Sequence, residues 1–164
     1  MARRRVVITG LGIISPVGNS IDEAWGNILA GRSGIDRITR FDASAFPVQI
    51  AGEVRNFDVS QYIPSKDARR MDTFIHYGMA AGIQAIKDAG LEANPANADR
   101  IGVSIGSGIG GLPLIETTRD EFVAAGVRKI SPFFVPGSII NMISGNLSIM
   151  YGYKGPIIEF LCAC

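Results

Sequence analysis

"RIGVSIGSGIGG", Arg100 to Gly111, decides how this chain is read. A short apolar run with Val103 and Ile105 reads as a strand buried on both faces, and it passes straight into a glycine cluster. "LPLIETTRDEFVAAG", Leu112 to Gly126, follows as a helix. A further strand reads on either side. "RVVITG", Arg5 to Gly10, is β-branched and continuous, and "GPIIEFLC", Gly155 to Cys162, reads as a third strand. "NSIDEAWGNILAG", Asn19 to Gly31, is a helix that Ser20 or Asn19 can cap and Gly31 can close. "DTFIHYGMAAGIQAIKDAG", Asp72 to Gly90, carries Phe74, Tyr77, Ala80, Ala81, Ile83, Ala85 and Ile86 at helical spacing, with Gly90 as its C-terminal stop. Residues 131–152 form a long, almost uncharged helical stretch, interrupted near Pro136 and Gly137. Residues 32–60 show no sustained period beyond a short strand from Val48 to Ile50. Strands alternating with helices predict an α/β fold with a mostly parallel sheet.

Composition bounds what such a fold does. The 164 residues are the size of one domain, or part of one. A net charge of +1 argues against a general nucleic-acid surface, which declares itself by strong positive charge. The basic start, "MARRR", leads into only three strongly apolar residues, too few for a signal peptide, and no run is long enough to span a membrane. The two cysteines form no disulfide framework. A cytoplasmic protein is expected. Charged residues are only 19%, so much surface is expected to be covered by something else.

Several motifs bear on chemistry, each beside a plainer reading. Gly10-x-Gly12 suggests a dinucleotide site, but no helix opens under these glycines; Pro16 intervenes and the helix starts near Ile21. A tight strand-to-loop turn is the simpler reading. The cluster Gly106–Gly111 has no phosphate-loop lysine. It is either a flexible turn or a backbone built for close approach, with Ile109 held out by glycines as a gate for an apolar ligand. His76 is the only histidine and sits inside the strongest helix, where packing is the default role. No metal site is expected from one histidine and two cysteines, and no cofactor is called for. Lys66, Arg69 and Arg70 fall within one helical turn, and Arg128 and Lys129 add a second basic pair. These are a solvated face or a local dock for an acidic partner. Cys162 and Cys164 point the same way if they lie on a strand. A thiol at a strand end before a helix gains acidity, which suits a nucleophile.

"RRVVITGLGIISPVGN", "RRMDTFIHYGMAAGIQAIKDAG", "RIGVSIGSGIGG" and "KISPFFVPGSIINMISGNLSIMYGYKGP" together resemble the β-ketoacyl-acyl-carrier-protein synthases, most nearly the type II elongating enzymes. The resemblance runs from residue 3 to about residue 156. It implies a thiolase-like fold, of which this chain is the first half of a five-layered α/β/α/β/α body. It implies decarboxylative condensation of an acyl thioester with malonyl-carrier protein, and a homodimer in the family. Acyl carrier protein, with phosphopantetheine-linked acyl and malonyl groups, is the implied partner. The position matching the family's nucleophilic cysteine is Cys164. Ile109 and Phe134 match acyl-pocket residues, and Lys66, Arg69, Arg70, Arg128 and Lys129 match the carrier dock. Two catalytic histidines and a lysine belong to the family's second half. Residues 157–164 depart from the family pattern: Ile157, Glu159, Phe160 and Leu161 replace small residues, and Cys162 stands where the family has threonine. An altered tail or a cut chain is expected, inactive alone. The alternative is a non-catalytic fragment that binds the carrier or dimerises.

Overall fold

The computed structural model describes residues 4–161. It is α/β, with one parallel and one antiparallel strand pair. Helix α1 (Ile21–Leu29) starts where expected: the Ser20 hydroxyl accepts the Glu23 N–H, and Glu23 reaches back to the Asn19 N–H at 2.7 Å. A hairpin follows, β1 (Ile35–Arg37) antiparallel to β2 (Ile50–Gly52), with Ile35 opposite Gly52. The expected strand at Val48–Ile50 therefore lies two residues later, and its partner was invisible because three exposed residues carry no period. One turn, α2 (Ser65–Ala68), precedes the long α3 (Thr73–Asp88). Gly90 sits at φ 58°, its N–H bonded to the Lys87 carbonyl and that of Leu91 to Ile86, the closing pair of a Schellman stop.

β3 (Val103–Ser107) leads through the glycine loop into α4 (Leu112–Ala125). The apolar stretch then makes α5 (Phe134–Ser138) and α6 (Met142–Tyr151), and the chain returns as β4 (Ile157–Leu161). The break between the helices falls at residues 139–141, not at Pro136, which sits in the first turn of α5 where a missing N–H costs nothing. β4 pairs in parallel with β3, Val103 opposite Ile157 and Ile105 opposite Glu159.

The core lies where α3 meets α6 and the inner face of β3. Ile63, Ile75, Met79, Ile83, Ile143 and Leu147 are buried, with Val103 and Ile105 packed against them. The buried stripe of α3 is thus Ile75–Met79–Ile83 with Ala80, rotated from the expected face through Phe74 and Tyr77.

The first segment is the main departure. Arg5 to Gly10 is not a strand: Val6 and Ile8 are 93% and 83% exposed. Among the described residues no neighbouring strand bonds to it. The backbone that follows, Gly10 to Ile13, instead lies along α3. The Leu11 N–H donates to Asp88 and the Ile13 N–H to Gln84. A Cβ on Gly10 would come within 2.3 Å of the Ala85 carbonyl oxygen, and one on Gly12 within 2.0 Å of that of Ala81. Gly10-x-Gly12 is therefore a flat backbone pressed on a helix, neither a tight turn nor a phosphate cradle.

Candidate functional site

The glycine loop is held from below and open above. The Gly111 N–H donates to the Ser138 carbonyl at 2.9 Å, and the Gly110 N–H to the Ser107 hydroxyl at 3.2 Å. Gly110 has φ 85°, the left-handed region, and a Cβ there would meet the Ser138 oxygen at 2.7 Å. Only glycine fits that combination. The loop thus sits on the end of α5, and Ile109 is lifted off it, 69% exposed. Phe134 opens α5 and is half-buried.

The five basic residues are all exposed. None forms an ion pair among the described residues; the two ion pairs there join Arg55 to Asp36 and Arg119 to Asp120. Arg69 turns back on its own helix, its Nε–H donating to the Ser65 carbonyl. Arg70 stacks over the Phe133 ring, 4.2 Å from its centroid, a contact that desolvates a guanidinium without neutralising it. This stack links the α2 corner to the segment four residues past Lys129. Arg128 and Lys129 form a single 3₁₀ turn with Val127 after α4.

Beneath Arg70 runs a groove of about 410 Å³ between α2, α5 and α6. Its walls include Ile63, Phe133, Pro136 and Ile149, and four of the chain's five methionines: Met71, Met79, Met142 and Met150. Neither Ile109 nor Phe134 lines it. Sequence reasoning did not find this groove. The signal was the methionine pairing itself, since thioether side chains suit surfaces that adapt to apolar matter.

His76 takes the plainer of its two roles. Its Nε2–H donates to the Ala68 carbonyl at 2.9 Å, tying α3 to α2. Among the described residues no cluster of three or more metal-ligating side chains occurs, and no helix is long and apolar enough to cross a membrane. Cys162 and Cys164 lie outside the described residues.

A parallel β pair covered by helices on one face, with a glycine loop at its exit, is an α/β layer, and the solved structures that share it are ketosynthases of thiolase-like fold. A β-ketoacyl synthase from Burkholderia phymatum STM815 superposes with a TM-score of 0.79 at 26% identity, over 99% of this chain and 40% of that one. The AntDE:AntF complex, a type II PKS acyl-carrier protein with its ketosynthase bound to the hexaketide, gives 0.75 at 25% identity, over 94% of this chain and 41% of that one. Residues 3–164 match the N-terminal domain of the β-ketoacyl synthases, and the chain belongs to that family. The 3-oxoacyl-[acyl-carrier-protein] synthase 2 of Vibrio cholerae serotype O1 is 58% identical over all 164 residues, 40% of its own length. The protein of that name from Staphylococcus aureus strain COL is 48% identical over 161 residues, which are 98% of this chain and 39% of that protein. The chain spans about 40% of the length of the curated relatives it matches.

Proposed function

We propose that this chain is the N-terminal part of a β-ketoacyl-acyl-carrier-protein synthase of fatty-acid elongation. The observation that carries the reading is the family match across residues 3–164. In it Cys164 takes the acyl chain from the carrier's phosphopantetheine as a thioester. Malonyl-carrier protein loses carbon dioxide, and the resulting carbanion attacks the thioester carbonyl, expelling the Cys164 thiolate. Ile109, held out on its glycine loop, and Phe134 line the path of the acyl chain. Lys66, Arg69, Arg70, Arg128 and Lys129 receive the acidic carrier protein; their exposure and lack of ion-pair partners among the described residues support this. The working enzyme is a homodimer in the cytoplasm and uses no metal.

For the isolated chain, carrier binding without condensation is the favoured activity. Its one imidazole, His76, is committed to the Ala68 carbonyl, so no histidine remains for the malonyl carboxylate. Residues 157–164 are proposed as an altered tail. Glu159 supports this: it pairs with Ile105 on the helix-facing side of the sheet, where an apolar residue would pack.

The test is association with acyl carrier protein, followed by stopped flow at low salt. Charge steers encounter more than it sets final affinity. The Arg69→Glu/Arg70→Glu variant is expected to associate roughly tenfold or more slowly than the parent. Equal rates for the two would remove the docking role. β-Ketoacyl product formed by the chain alone and lost in Cys164→Ala would remove the claim of inactivity.

A further inference from the structure

Asp72 has more partners than a helix cap requires. It is 7% exposed. One oxygen, Oδ1, accepts the Phe74 N–H at 3.3 Å and caps α3. The other, Oδ2, accepts the Leu114 N–H at 2.8 Å, in the first turn of α4 and 42 residues away. Its own N–H donates to the Gly137 carbonyl of α5 at 3.0 Å. Helix α4 has no capping side chain of its own: Gly111 occupies its N-cap and Pro113 brings no N–H. The cap for α4 is supplied from a different helix. One buried carboxylate thus faces two helix N-termini, where negative charge is favoured twice over.

What these bonds fix is the glycine loop. A Cβ on Gly111 would come within 3.1 Å of the Asp72 Cβ, so the loop runs close beside the Asp72 side chain. Two and three residues upstream of Asp72 stand Arg70 and Arg69, and the Arg70 carbonyl packs against Gly137. We propose that Asp72 is a positioning residue, holding the loop that presents Ile109 in register with the basic corner at Arg69 and Arg70. The inference rests on the carrier-docking reading: a partner seated on that corner is felt at the loop through the Asp72 carboxylate. A plain N-cap of α3 accounts for the bond to Phe74 alone; the bond to Leu114 crosses to the helix that follows the glycine loop.

The experiment is hydrogen–deuterium exchange on the whole chain, read over residues 107–115, with and without acyl carrier protein. Asp72→Ser keeps an N-cap oxygen for Phe74 but has no second oxygen for Leu114. Asp72→Asn has one acceptor oxygen where two N–H groups converge. Ser20→Ala, which removes the cap of α1, is the control for a general loss of a helix cap. Both Asp72 variants are expected to speed exchange at 107–115 by roughly tenfold or more, the scale of one lost charge-assisted bond. Ser20→Ala is expected to leave that segment unchanged. Carrier protein is expected to slow exchange at both 65–70 and 107–115 in the parent, and only at 65–70 in Asp72→Ser. Protection of the loop by carrier in Asp72→Ser, equal to that in the parent, overturns the proposal, as does parent-like exchange in both variants. If one variant unfolds, the other decides. No carrier effect anywhere in the parent refutes the docking reading, and the positioning claim is then judged on the carrier-free exchange alone.

Discussion

Replacing Gly78 with alanine is expected to destabilise the chain, although the same change at Gly26 stabilises it. Alanine in a helix interior is worth about 1 kcal/mol over glycine. At Gly26 in α1 a Cβ meets nothing within 4 Å, so the gain is realised in full. At Gly78 in α3 it would lie 2.6 Å from Ile143 Cδ1, 2.8 Å from Cγ2 and 3.2 Å from Cγ1. Ile143 is 3% exposed and β-branched, so it has neither a free rotamer nor a void to retreat into. Overpacking of this kind costs about 1–3 kcal/mol, which cancels or exceeds the propensity gain. Gly82 is intermediate: only Leu147 Cδ1 comes close, at 2.6 Å, and the next atom is 3.5 Å away. The expected order of melting midpoints is therefore Gly26→Ala above the parent, Gly82→Ala near it and Gly78→Ala below it. Each kcal/mol moves the midpoint by about 2–4 °C at this size. Ile143→Val removes the Cδ1 that clashes; it should cost less in the Gly78→Ala background than in the parent, where about 0.5–1.5 kcal/mol is expected. Thermal melts of the four single variants and the double supply the cycle. A midpoint for Gly78→Ala raised as far as that for Gly26→Ala would refute the tight α3–α6 seam.

Glu53 should make the hairpin region acid-labile. Its carboxylate accepts the Thr39 hydroxyl at 2.7 Å and the N–H groups of Thr39 and Arg40, and the Thr39 bonds above all hold it below the ordinary glutamate range. A depressed folded value means stabilisation that is complete above the unfolded value and lost as pH falls through the folded one. The urea-midpoint advantage of the parent over Glu53→Gln should therefore shrink between about pH 7 and about pH 3; a constant gap contradicts this. Glu159→Val should raise stability by roughly 1 kcal/mol, and the melting midpoint with it, because the half-buried carboxylate has no hydrogen-bond partner among the described residues. A lowered midpoint would mean that the charge is well solvated. With Val6, Ile8, Ile149 and Phe160 each more than 60% exposed, the chain should bind a hydrophobic dye and self-associate as its concentration rises; a dye-silent monomer contradicts it.

Elements that stabilise themselves locally were legible. Ser20 at the start of α1 and Gly90 at the end of α3 mark those ends in the sequence because caps act within one turn. The glycine loop after β3, and β4 itself, stood out by composition. Features settled by distant partners were not legible. Val6–Ile8 has strand propensity, but a strand exists only beside another, and here Asp88 and Gln84 bind the following backbone to α3. The α3 face was read one step out of phase because glycines at 78 and 82, not the large aromatics, mark its contact with α6. At the site, the type and exposure of Ile109 and the five cations followed from their neighbours in sequence. Asp72 did not: nothing near it in the chain announces a bond to Leu114.

The parallel pairing of β3 with β4 also sets a schedule. Val103 must wait for Ile157, about 54 residues further along the chain. At a synthesis rate of about 5–20 residues per second, that is roughly 3–11 s with a bare strand edge on the ribosome. A continuous β-branched strand would invite other nascent chains during that interval. Ser104, Gly106 and Ser107 interrupt β3 with small and polar residues. The strand is therefore a poor template for strangers, and it becomes a good one only when β4 arrives with α6 already packed behind it.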